Sequence, residues 1–120
     1  MKYSNIVFER SLGRLKGEIK IEVDIESTKH SDERKFRHGE EITDAEILLT
    51  SRKAVPKITK ALIFDHIDIS DELRVFDTAT NLNVICKLEG EKLSALKLVV
   101  ITVMRKKDFK PKSGTKTIEV

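Results

Sequence analysis

Cysteine, tryptophan, proline and glycine are all scarce in this 120-residue chain, which has one cysteine, two prolines, five glycines and no tryptophan. A single cysteine excludes an internal disulfide framework. Cys86 lies in an apolar run, which is typical of a buried small residue and not of a nucleophile. The glycines are scattered, so the sequence contains no phosphate-binding loop, dinucleotide-binding pattern or nucleophile elbow.

Aromatic residues and long hydrophobic runs are also sparse. Five phenylalanines and Tyr3 make up the aromatic content, which argues against binding single-stranded nucleic acid by stacking successive bases. The longest apolar run, residues 96–104, is too short to cross a bilayer, and nothing resembles a signal peptide. These absences predict a cytoplasmic protein with no membrane partner.

Charged residues, in contrast, make up 36% of the chain, and their distribution is uneven although the net charge is only +3. Acids outnumber bases between Glu18 and Glu46, whereas six bases accompany the single acid Asp108 between Arg105 and Lys116. This asymmetry predicts a face or tail that meets an anion. A solvated tail that aids solubility explains it nearly as well. The length predicts a single domain over residues 1–120, with a basic C-terminal tail from about residue 105.

Hydrophobic periodicity predicts an α+β fold. Residues 19–26 alternate apolar and charged side chains, as in a strand with one buried face, and residues 30–37 fit a short helix. Thr43-Asp-Ala-Glu46 matches a capping box that starts another helix, in which Pro56 either introduces a kink or begins a further helix. Residues 73–77, 81–89 and 96–104 fit strands. The expected architecture is an N-terminal strand, two or three helices and a three-stranded antiparallel meander packed on them.

The first group of candidate chemical residues lies in the short helix over residues 30–37. His30, Arg34 and Arg37 would share one face with Glu33, because they are three or four residues apart. Guanidinium groups could hold a phosphodiester there while the imidazole moves a proton. An exposed helix with helix-spaced ion pairs explains the same pattern.

The second group lies at the end of the last predicted strand. Thr102 and Met104 would share one face of that strand, and Arg105 stands at its end, where a cation can reach a phosphate. The basic residues could equally serve to keep an apolar strand from aggregating. The three histidines have no spacing that matches a known metal site, so neither a metal nor another cofactor is expected.

Together these groups resemble a known family. The Lys-His-x-x-x-Arg start of the short helix, the capped helix and the strand ending Val-Ile-Thr-Val-Met-Arg are similar to RelE-like proteins. These belong to the superfamily that includes barnase and colicin-type ribonucleases. The resemblance covers residues 19–112 and looks closest to small phage proteins. Many of these proteins carry a tyrosine where this chain has Met104.

The resemblance implies a metal-independent endoribonuclease, in which the ribose 2′-hydroxyl attacks the adjacent phosphate and leaves a cyclic phosphate. It implies that His30 is the acid or base, Arg34 a phosphate clamp, Thr102 a polar contact on the sheet and Arg105 a second cation. The expected partner is RNA, either messenger or transfer RNA, including RNA on the ribosome. The residues expected to add nucleic-acid affinity are Arg37, Lys106, Lys107, Lys110 and Lys112.

The alternative is a catalytically inactive phage accessory protein that binds a host protein or a nucleic acid. In that case His30 and Arg34 lie apart from Arg105 or are held in ion pairs, and an edge strand is the place for a protein partner. An antitoxin-like role is disfavoured, because the sequence shows no disordered, partner-wrapping segment beyond the short tail.

Overall fold

A computed structural model describes residues 7–11, 18–24 and 42–120 of the chain. The elements within these ranges are β1 (Val7–Ser11), β2 (Glu18–Asp24), α1 (Asp44–Ile63), β3 (Glu72–Asp77), β4 (Leu82–Glu89), a 3₁₀ turn (Leu93–Ala95), β5 (Leu96–Arg105) and β6 (Lys116–Glu119). No helix in the described part of the chain is long and apolar enough to span a membrane. The predicted helix over residues 30–37 lies outside the described residues.

The six described strands form one mixed sheet in the order β1-β2-β5-β4-β3-β6. Neighbouring strands are antiparallel except for two parallel pairs, β2 with β5 and β3 with β6. The predicted architecture, a three-stranded antiparallel meander packed on two or three helices, is therefore wrong. Local periodicity locates a strand, but the choice of its neighbour depends on contacts between residues far apart in sequence.

Helix α1 is the one α-helix among the described residues, and it begins where the capping box predicts. The Thr43 hydroxyl accepts a hydrogen bond from the Glu46 N–H at 3.1 Å. Pro56 lies inside the helix, so the alternative of a further helix starting there is wrong. The carbonyl of Arg52 loses its usual N–H donor. Arg52 and Pro56 are both exposed, however, so water can donate to that carbonyl instead.

One face of the sheet, here called the helix face, packs against α1 and forms the hydrophobic core. The helix contributes residues three or four apart, as expected of an amphipathic helix. The strands contribute alternate residues, which is the period that places side chains on one face of a sheet. The largest fully buried side chains are Ile19, Ile21, Ile47, Ile58, Leu73, Leu82, Leu96, Leu98, Val23, Val55 and Val75. Burial of each contributes about 1.5–3 kcal/mol.

A bulge in β5 determines which of its side chains reach the opposite face. The register against β4 shifts between Ile85, which pairs with Thr102, and Cys86, which pairs with Val100. Ile101 is therefore the extra residue that the bulge inserts into β5. As a result, Val100 and Val103 both belong to the core, while Thr102 and Met104 lie on the other face.

Residues 106–115, here called the basic strap, connect β5 to β6. Both strands run parallel to β3 but lie on opposite sides of it, so the connection has to cross β4 and β3. The contacts of Phe109 and Lys112 with Arg74 and Glu72 place the strap on the face opposite α1. The sheet thus lies between the helix and the strap, and the second face is called the strap face below.

Candidate functional site

Asn83 holds the beginning of the strap. Its side chain is fully buried on the strap face, and its Nδ2 donates to the Lys106 carbonyl at 2.7 Å. Its Oδ1 accepts a hydrogen bond from Arg74 Nε at 2.7 Å, and the Lys106 N–H donates to the Asn81 carbonyl at 3.1 Å. One buried amide therefore joins three parts of the chain, as expected of a buried polar group with its hydrogen-bonding capacity satisfied.

Two further contacts hold the rest of the strap against the sheet. The Arg74 guanidinium lies 4.6 Å from the centroid of the Phe76 ring and 5.9 Å from that of Phe109, within the range of cation–π attraction. Farther along, Lys112 Nζ lies 3.3 Å from Glu72 Oε2. The strap is thus anchored at its start, middle and end, and β6 continues from it as an ordered strand.

The anchored strap presents four lysines. Lys106, Lys107 and Lys110 are exposed, and no acidic side chain in the described ranges pairs with any of these three. Lys112 pairs with Glu72, yet its side chain is 76% exposed. Several exposed cations on one short segment create a positive potential that attracts a polyanion. These four residues were predicted from the sequence as nucleic-acid contacts, and they lie on the segment that is anchored to the sheet.

A pocket of about 260 Å³ lies between the strap and the sheet. Its apolar lining comes from Ile85 and Met104 on the sheet and from Phe109 and Pro111 on the strap, and Glu72 and Lys112 also line it. Thr102 contributes the remaining polar group. Its Oγ1 is buried and has no hydrogen-bond partner among the described residues. An apolar pocket with a few polar groups is the usual form of a small-ligand site.

Arg105, predicted as a catalytic cation, lies on the other side of the sheet. Its Nη2 is 2.7 Å from Glu46 Oε1 of α1, and its Nη1 donates to the Thr80 carbonyl at 3.0 Å. Glu46 Oε1 is therefore bound to the end of β5. Because Thr102 lines the strap-face pocket, these two predicted catalytic residues face opposite sides of the sheet.

The other predicted catalytic residues, His30 and Arg34, lie outside the described residues, as does Arg37. Their convergence with Arg105 stays a prediction. Four residues that shape the strap face were not predicted from the sequence: Asn83, Arg74, Phe109 and Glu72. An asparagine inside the apolar run of β4 was the one visible signal, because a buried amide in a strand needs specific partners.

Cys86 and Asp77 have shifted pKa values. Burial raises the pKa of the Cys86 thiol to about 12, and the Glu72 charge adds to this. The prediction that Cys86 is buried is confirmed. Burial also acts to raise the pKa of Asp77. Hydrogen bonds from the Ala79 N–H and the Lys53 ammonium outweigh this effect and hold it below its ordinary value.

Within the described ranges, no three histidine, cysteine or acidic side chains lie close enough together to hold a metal ion.

Comparisons with models of protein families, with curated proteins and with solved structures gave no match. The resemblance to RelE-like ribonucleases therefore stays a prediction from the sequence.

Proposed function

We propose that this chain binds the phosphate backbone of a nucleic acid through the basic strap, without cleaving it. The observation that carries the proposal is the set of four lysines on a segment that is anchored to the sheet by Asn83, Arg74 and Glu72. Anchoring matters because a preorganised set of cations loses less conformational entropy on binding than a loose tail does.

Binding is favoured over cleavage by the position of Arg105. Its guanidinium is committed to Glu46 and to the Thr80 carbonyl, and this contact lies on the face opposite the strap lysines. A catalytic cation has to reach the same phosphate as the acid and base. Arg105 would have to leave a part-buried ion pair to reach a phosphate bound at the strap.

RNA is the nucleic acid that we propose, in line with the expectation from the sequence, and the cytoplasm is the proposed compartment. Phosphate contacts alone do not distinguish RNA from DNA. The sparse aromatic residues offer no platform for successive bases, so a double-helical segment is the better match to a row of lysines.

The test compares the native chain with two triple variants in a binding assay with labelled RNA and DNA duplexes. One variant carries Lys106→Gln, Lys107→Gln and Lys110→Gln on the strap. The matched control carries Arg52→Gln, Lys60→Gln and Lys92→Gln, which removes the same charge from exposed residues elsewhere. Excess chelator is present, and a denaturing gel shows whether the nucleic acid stays intact.

We expect the strap variant to lose at least about tenfold in affinity, because phosphate contacts supply most non-specific binding. The control variant should lose much less. Equal losses in both variants would indicate a general charge effect and contradict the proposal. Cleavage of RNA in the chelator, with a cyclic phosphate end, would instead favour the ribonuclease that the sequence resembles.

A further inference from the structure

The pocket under the strap has a composition that matches one class of ligand. Its walls are Ile85, Met104, Phe109 and Pro111, Thr102 on its sheet side has a buried hydroxyl, and Lys112, which also lines it, has a largely exposed side chain. We propose that this pocket binds a single nucleobase whose phosphate lies against the strap lysines. The inference rests on the proposed function for the case in which the base belongs to a nucleic-acid strand.

The apolar walls and the phenylalanine ring suit the flat faces of a base. Unpaired bases are recognised in proteins by stacking on aromatic side chains and by hydrogen bonds to their edges. The volume of about 260 Å³ lies just below the range of about 300–1,000 Å³ that is usual for ligand pockets. It therefore suits one base better than two. The scarcity of aromatic residues excludes a stacking platform for a run of bases but not this single contact.

The polar groups suit the edge of a base. Thr102 Oγ1 is buried and has no partner in the described part of the chain, and a hydroxyl can either donate or accept a hydrogen bond. Glu72, which also lines the pocket, can only accept when ionised. Base edges carry both N–H donors and carbonyl or ring-nitrogen acceptors, so a bound base would supply the partner that Thr102 lacks.

The position of the pocket suits the phosphate that a nucleotide carries. Lys112 lines the pocket and is largely exposed, and Lys110 is the next cation along the strap. Lysine binds phosphate as a point charge and needs no fixed geometry. The base can come from two sources, a free nucleotide or a base turned out of a duplex. Extrusion costs least at a mismatch or bulge.

The experiment uses the full chain and two substitutions at one position. Thr102→Val removes the hydroxyl and keeps the shape, and Thr102→Leu also fills the pocket. One arm titrates the four nucleoside 5′-monophosphates and follows the amide resonances of the strap and β5 by NMR. The other arm compares a fully paired RNA duplex with the same duplex carrying one bulged nucleotide. Circular dichroism confirms that each variant is folded.

We expect the bulged duplex to bind at least about fivefold more tightly than the paired one, as stacking one base on an aromatic ring would give. Thr102→Leu should abolish this preference while leaving the paired duplex bound as before, and Thr102→Val should weaken it. If the monophosphates shift the amide resonances saturably but the bulged duplex binds no more tightly than the paired one, the pocket is supported and its ligand is a free nucleotide.

Two results separate this inference from the proposed function. If the paired duplex binds through the strap lysines, but neither the bulge nor any monophosphate is recognised, the base pocket is wrong and the proposed function stands. If monophosphates bind at the pocket but no duplex binds, the proposed function is wrong and the pocket stands.

Discussion

Arg105 illustrates, at the scale of single residues, how a side chain that suggests catalysis can instead serve the fold. Its side chain is 79% buried, with Glu46 as its ion-pair partner and the Thr80 carbonyl as a second acceptor. Removing one partner of such a pair leaves the other charge poorly solvated. The residue therefore links the end of β5 to the first turn of α1, and its substitution should change stability before it changes binding.

Arg105→Ala should lower the free energy of unfolding by about 1–3 kcal/mol, because it leaves the Glu46 carboxylate and the Thr80 carbonyl without this donor. Affinity for a nucleic acid should be unchanged within about twofold, since the strap lies on the other face. Urea unfolding and duplex binding measure the two effects, with exposed Arg52→Ala as the control. A folded Arg105→Ala protein that no longer binds would place Arg105 in the binding site.

Asp77 gives a pH dependence of stability. Its carboxylate accepts hydrogen bonds from the Ala79 N–H at 2.9 Å and from Lys53 Nζ at 3.2 Å, and its pKa is lowered in spite of burial. Because the pKa is lower in the folded state, the ionised Asp77 carboxylate adds to the free energy of unfolding at pH values above its unfolded pKa of about 4. It is lost as the pH falls through the folded value.

Between pH 5 and pH 3 the native chain should therefore lose more unfolding free energy than Asp77→Asn does. At pH 7 the variant should be less stable by about 1–2 kcal/mol, because it keeps an acceptor for Ala79 but loses the charge that pairs with Lys53. Urea unfolding at both ends of this range measures the difference. Parallel loss of stability in the two proteins would show that other carboxylates dominate the acid response.

The strap is the element on which the proposed function depends, and Asn83 is the side chain that ties it to the sheet. Asn83→Ala should loosen the start of the strap and lower the unfolding free energy by about 1–3 kcal/mol, since Arg74 and the Lys106 carbonyl lose their partner. Limited trypsin digestion under native conditions, with cleavage after Lys106, Lys107 and Lys112 as the readout, measures this loosening.

The control is Lys92→Ala, which changes an exposed side chain outside the strap. Asn81→Ala is not suitable, because Asn81 adopts a positive φ of 61° in the β3–β4 turn. Trypsin should cleave the strap of this control no faster than that of the native chain. If Asn83→Ala leaves strap cleavage unchanged, the other anchors hold the strap and the role assigned to the buried amide is wrong.

The elements differ in how far the sequence predicts them. The start of α1 and the core strands β3 to β5 have local signals: a capping box at Thr43 and runs of apolar, β-branched residues. Strand β6 has no such signal, since it is four residues long and forms only by pairing with β3. The pocket is not predictable either, because the bulge at Ile101 and the contact of Phe109 with Arg74 arise from pairing between distant segments.

At the scale of the whole molecule, the sheet separates two roles. Its helix face packs the hydrophobic core against α1 and holds Arg105, while its strap face carries the lysines and the pocket. Changes to the strap lysines should therefore alter binding with little effect on stability, and changes in the core should do the opposite. This separation is what makes the proposed function testable by mutation in a folded protein.

The salt dependence of nucleic-acid binding shows whether the strap lysines contact phosphates. Affinity for a duplex is measured over a series of salt concentrations for the native chain, for the variant with Lys106, Lys107 and Lys110 changed to Gln, and for the charge-matched control. Each lost phosphate contact removes about 0.7–0.9 from the slope of log K against log salt, so the strap variant should be shallower by about 2–3. The control should keep the native slope. A strap variant with the native slope would contradict the account, because the lysines of the strap would then not be the groups that meet the phosphates.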